Sequence, residues 1–348
     1  MRGLFCVSLL GRLARAHMGA WHESAFGWNS GAALQLPLRD NDCDSYWFHG
    51  QLRDPPSPGK FLELTPGASL TLPNACGRGC LEEQPSQWLT DPATGWRNDA
   101  CSSAVDASTM FTYHAGAHFP PIKSQLTGCV LAIANTADEF AVRPDDFTIF
   151  SRNASCVYVR GTQYAVPADM PACSDPAGCL CSWHWSPLVA NHESYQVMFR
   201  CRVQGGSTQH KLCAGQVPKL CEDPATCVRG AKTPMHWSSK CAEMQNTVDP
   251  VPDNNDPDPL RPQYTPLYGF DIDGAQDDAV SDEHGVCGVA AAATPPSSPA
   301  SIDVSAPTIV AAPALVDQSG TALLRKACKP QGALTRRLLR RKQPLDVV

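Results

Sequence analysis

Tyr195-Gln196-Val197-Met198-Phe199-Arg200-Cys201-Arg202-Val203 decides the fold. Tyr195, Val197, Phe199, Cys201 and Val203 recur at every second position, the period of a strand with one face in a core. Upstream, the apolar run from Cys129 to Ala134 has the length of a buried strand, and residues 146–160 hold further alternating runs. Turns rich in Pro and Gly separate these segments, no helical period stands out before residue 243, and no internal repeat is visible. The pattern predicts an all-β protein, a β-sandwich with long loops.

Composition agrees with that reading and excludes several functions. The 348 residues include 31 Pro and 25 Gly, with only 18% charged residues and a formal net charge of −6. A general nucleic-acid binder needs a concentrated basic face, which an acidic chain with basic residues gathered at its end does not offer. The chain carries 17 cysteines, far more than a reduced compartment usually tolerates, so an oxidising location is expected. Fourteen of them fall between Cys43 and Cys241, enough for up to seven disulfides of unspecified pairing.

Residues 1–16 read as a secretory signal peptide: basic Arg2, an apolar stretch from Leu4 to Leu10, and small residues Ala14 and Ala16 before a cut that would expose His17. The expected localisation is secreted and extracellular. No later stretch reaches the ~20 apolar residues of a membrane span. A domain over residues 17–242 is expected, because from Glu243 the composition turns to Pro, Ala, Ser and Asp. Residues 243–348 are expected to be a disordered tail, first acidic and Pro-rich, then basic at Arg336, Arg337, Arg340, Arg341 and Lys342. The Asn153-Ala154-Ser155 sequon offers a glycosylation site.

The chain lacks a G-x-S-x-G elbow, a Walker loop and a dinucleotide glycine fingerprint. An N-terminal His17 would instead present an α-amino nitrogen and an imidazole nitrogen to one ion. Nitrogen-rich, roughly tetragonal sites favour copper. The second imidazole would come from His114 or His118, both in the stretch that leads to Gly128-Cys129. The group Cys173, Cys179 and Cys181 has no standard zinc spacing.

At these residues the chain resembles the fungal lytic polysaccharide monooxygenases of auxiliary activity family fourteen. The landmarks are His17-Met18-Gly19-Ala20-Trp21-His22, Trp47-Phe48-His49-Gly50, Asp54-Pro55-Pro56-Ser57-Pro58-Gly59, and the run from Gly128 to Ala134. Val166 to Cys173, Phe199 to Val203 and Gly230 to Pro234 follow in the family's order. The resemblance implies an immunoglobulin-like, fibronectin-like sandwich and a copper histidine brace of His17, then His118 or His114, with Tyr195 as axial ligand. Spacing from Gly128-Cys129 favours His118. It also implies a polysaccharide substrate such as xylan with cellulose, an external electron donor, and dioxygen or hydrogen peroxide; a monomer is expected. His184 lies where the chain departs from the family, as a donor to a bound oxygen species or as a packed histidine. His22, His49 and His236 are read as structural. The alternatives are a non-catalytic copper-binding protein of the same fold and a glycan-binding structural protein.

Overall fold

The structure, a computed structural model, describes residues 17–38, 41–75, 78, 127–157, 161–188, 193–237, 240–251 and 258–288. Among these residues nine strands form two sheets: β1 (Gly19–Ala20), β2 (Leu62–Leu64), β3 (Ser69–Ala75), β4 (Cys129–Ala134), β5 (Thr148–Asn153), β6 (Gly161–Ala165), β7 (Cys179–Trp185), β8 (Tyr195–Val203) and β9 (Gly274–Ala275). The smaller sheet has the order β1-β3-β6 and the larger β2-β8-β7-β4-β5-β9. Only the β2–β8 pairing is parallel. Among the described residues the single α-helix, α1 (Cys43–Tyr46), is one turn long, capped by the Asp42 side chain on the Ser45 N–H. The all-β sandwich expected from the strand periods is the architecture found.

The alternation in β8 places Tyr195, Val197, Phe199 and Cys201 in the core between the sheets, with Leu72 and Tyr164 from the smaller sheet. Trp183 on β7 donates its indole N–H to the Tyr164 hydroxyl at 2.9 Å, so a buried polar pair bridges the two sheets. β4 is buried along its whole length, without alternation. A second core explains this: Val130, Ala132 and Ala134 on its other face pack under Tyr46, Phe48, Phe147 and Met235. The larger sheet is thus covered on both faces, which is why β4 reads as a continuous apolar run. Entry to β4 needs glycine, since Gly128 has φ +72° and an added Cβ would lie 2.9 Å from the Tyr264 carbonyl oxygen.

The domain boundary expected after residue 242 is corrected by this second core. Tyr264, Tyr268 and Phe270 are buried in it, β9 pairs with β5, and Cys287 is bonded to Cys213. Arg152 donates to the Tyr264 carbonyl at 2.7 Å, and Lys232 lies 3.6 Å from Asp278. The surrounding Asp and Pro residues lower mean hydropathy and mask three aromatics that supply the burial. Residues 289–348, with the basic cluster, lie outside the described residues, as do residues 1–16.

Among the described residues six disulfides join Cys43–Cys241, Cys129–Cys156, Cys173–Cys179, Cys181–Cys201, Cys213–Cys287 and Cys221–Cys227. Cys173, Cys179 and Cys181 therefore hold no thiolate for zinc. Cys287, beyond the span from Cys43 to Cys241, bonds Cys213 within it, so the disulfides are not confined to that span. Cys76, Cys80 and Cys101 lie outside the described residues.

Candidate metal centre

His17 enters the fold through β1. Gly19 and Ala20 pair with Ala75 and Asn74, and the Trp21 indole N–H donates to the Ala75 carbonyl at 2.9 Å. Glycine at 19 lets a second segment lie against this strand: a Cβ there would sit 3.2 Å from the Gln35 Cα and 3.3 Å from its nitrogen. The consequence is a half-buried His17 ring, fixed from two sides, at the same end of the sandwich as the start of β8.

Tyr195 meets it there, with ring centroids 6.2 Å apart and planes at 51°. Only 1% of Tyr195 is exposed. Its hydroxyl donates to Glu193 Oε2 at 2.8 Å. Burial first, and then the charge and hydrogen bond of Glu193, hold the phenol well above its ordinary pKa, so it stays protonated at any pH where the fold operates. Trp185, directly opposite Tyr195 across the β7–β8 ladder, stacks on it at 4.8 Å. The Trp185 indole N–H donates to Thr127 Oγ1 at 3.1 Å, tying this wall to the residue that begins the approach to β4. His17 and Tyr195 are the two expected site residues that the structure brings together. His114 and His118 lie outside the described residues.

Sequence reasoning missed Glu193. Extending the period-two pattern of β8 by one step back from Tyr195 would have found it. His184, left open between a donor and a packed histidine, is packed: alternation turns it to the opposite face of the larger sheet from Tyr195. It is 3% exposed, bonds Ser182 Oγ at 2.8 Å and stands against the His236 ring at 5.2 Å. His49 bonds the Leu36 carbonyl at 2.8 Å and His22 the Ser24 hydroxyl at 2.7 Å, both structural roles.

An imidazole, a buried phenol oxygen and a carboxylate behind it are donors that suit a borderline cation such as copper, and they fit a site completed by further nitrogens. Among the described residues, the other group of potential ligands, Cys43, Cys241 and Glu243, is built on a disulfide and offers no thiolate.

His17, two residues ahead of β1, stands beside the inward Tyr195 at one end of a disulfide-stapled sandwich. The family model of lytic polysaccharide monooxygenase AA14 matches residues 2–338. The chain belongs to this family, whose members are copper-dependent and cleave polysaccharides oxidatively. It is 31% identical over 308 residues to AA14 family lytic polysaccharide monooxygenase B of Pycnoporus cinnabarinus, covering 81% of this chain and 75% of that protein. It is 32% identical over 298 residues to AA14 family lytic polysaccharide monooxygenase A of Trametes coccinea, covering 80% of this chain and 64% of that protein. Among the described residues, no helix is long and apolar enough to cross a membrane.

Proposed function

We propose that this chain is a secreted, monomeric oxidoreductase that starts at His17 after removal of residues 1–16, binds one copper ion, and cleaves a cell-wall polysaccharide such as xylan associated with cellulose. The approach of the His17 ring to the Tyr195 ring at 6.2 Å carries the reading. The α-amine and imidazole of His17, the imidazole of His118 or of His114, and the phenol oxygen of Tyr195 would hold the ion. Copper supplies one-electron redox chemistry toward dioxygen or hydrogen peroxide, with electrons from an external donor. The protein's own contribution is geometric. β1 anchors the chain next to His17 against β3, Trp185 packs on the Tyr195 ring, and Glu193 holds the phenolic proton in a hydrogen bond.

The test is release of oxidised oligosaccharides from xylan-coated cellulose by the processed protein with copper and ascorbate. Activity is expected from a chain that begins at His17 and is lost in His17→Ala or when one residue precedes His17, since either change removes a nitrogen donor. N-terminal sequencing of the secreted protein that found another first residue would overturn the proposal. So would retained copper affinity in both variants. Tight copper binding without product from any wall polymer would favour a non-catalytic copper protein.

A further inference from the structure

The face of β7 and β8 turned away from Tyr195 carries a polar row under cover. Cross-strand register and alternation place Ser182, His184 and Ser186 beside Ser194 and Gln196 on this face. Such a row ordinarily faces water, yet all five residues are buried. The cover comes from Tyr46 and Trp47, at the end of α1, and from His236. Cys43–Cys241 staples the two covering segments together.

These side chains close into a ring. Ser194 lies against the Tyr46 phenol, and the Tyr46 hydroxyl is 3.1 Å from His236 Nδ1. The His236 ring meets that of His184 at 5.2 Å and 84°, and His184 stands directly across the ladder from Gln196, which is two residues from Ser194 on the same face. Around this ring, both amide atoms of Gln196, His236 Nε2, Trp47 Nε1 and Ser186 Oγ are buried without a protein partner. Gln196 is 2% exposed and His236 1%.

The mixture of these atoms selects the ligand. Trp47 N–H and the Gln196 amide N–H groups only donate and would repel a cation, whereas the Gln196 carbonyl oxygen only accepts and would repel an anion. A small neutral molecule that both donates and accepts satisfies them all. We infer that the ring encloses an internal hydration site, in which ordered water is bound by Gln196, His236, Trp47 and Ser186. Burial holds both imidazoles neutral, each with one donor and one acceptor nitrogen, as partners of water require. Because Ser194 and Gln196 flank Tyr195 in the chain, the bound water pins the strand end that presents Tyr195 to the opposite face. The inference does not depend on the copper reading.

A high-resolution crystal structure of the full chain with anomalous data, together with water-selective NOE spectra of the Trp47 indole proton, tests it. Water density within hydrogen-bond distance of Gln196 and His236 Nε2, and a cross-peak from the Trp47 indole proton to long-lived water, are expected. Gln196→Met, similar in length but unable to donate, should lose the water nearest residue 196. A dry interior in which these atoms pair with one another, or an anomalous scatterer inside the ring, would overturn the inference. If the variant does not fold, the density and NOE of the unsubstituted protein decide alone.

Discussion

Glu193 Oε2, two residues back along the chain, accepts a hydrogen bond from the Tyr195 hydroxyl at 2.8 Å. The carboxylate is half-buried, so water can replace the phenol where the bond is broken. Tyr195→Phe should therefore cost only about 1 kcal/mol in urea unfolding, below the usual range for hydrogen bonds to charged groups. Copper stoichiometry should stay at one while the electron paramagnetic resonance spectrum of the bound ion changes, since the phenol oxygen that would contribute to the site is gone. An unchanged spectrum would show that Tyr195 is a core residue alone.

The Cys213–Cys287 bond closes a sequence separation of 74 residues and fastens the segment that carries Tyr264, Tyr268 and Phe270. Constraining so long a loop in the unfolded chain is worth about 2–4 kcal/mol. Cys213→Ser with Cys287→Ser should lose that much in guanidinium unfolding and open residues 258–288 to limited proteolysis. A chain ended at residue 242 should be insoluble, because it uncovers Phe147 and Met235, whereas one ended at residue 288 should fold. Equal solubility of the two truncations would restore the boundary drawn from composition.

What was legible in the sequence follows from the number of faces a strand buries. β8 has a strict two-residue alternation of its apolar side chains, and β4 is an unbroken apolar run; both were readable because local pattern and tertiary burial agree. β7 was not. Its Ser182 and His184 occupy the positions that normally face solvent, and only the cover from Tyr46, Trp47 and His236, distant in sequence, makes them interior. The same distance hid the role of residues 258–288, whose aromatics are diluted by Asp and Pro. At the site, His17 and Tyr195 could be named from the chain, but their approach depends on pairing β1 with β3, which no local signal encodes.

Gly19 bears on the geometry of His17 more directly than its size suggests. Its backbone lies where a methyl group would press on Gln35 at 3.2–3.3 Å, contacts that only backbone movement can relieve. Gly19→Ala should destabilise the fold by about 1–2 kcal/mol, the usual cost of overpacking. It should also weaken copper binding several-fold in calorimetry, by tilting the residue two positions upstream. Unaltered affinity alongside reduced stability would separate β1 packing from metal geometry.

His236 sets an acid limb on stability. Burial lowers its pKa from 6.5 to about 3, so between those values the unfolded chain takes up a proton that the folded protein refuses. More protons on the unfolded state means that unfolding free energy rises with pH across this window and falls on acidification, by up to about 1.4 kcal/mol per pH unit from this one group. His184, lowered by burial and then by His236, adds a slope of the same sign. Above about pH 6.5 neither contributes. His236→Asn keeps a polar partner for Tyr46 and cannot titrate. Its stability, measured by urea unfolding from pH 7 to pH 4, should decline less steeply than that of the unsubstituted protein, whose carboxylates contribute equally to both curves. Parallel curves would mean that His236 is protonated in the folded state, and that the ring it forms with Tyr46 and His184 is open to water exchange.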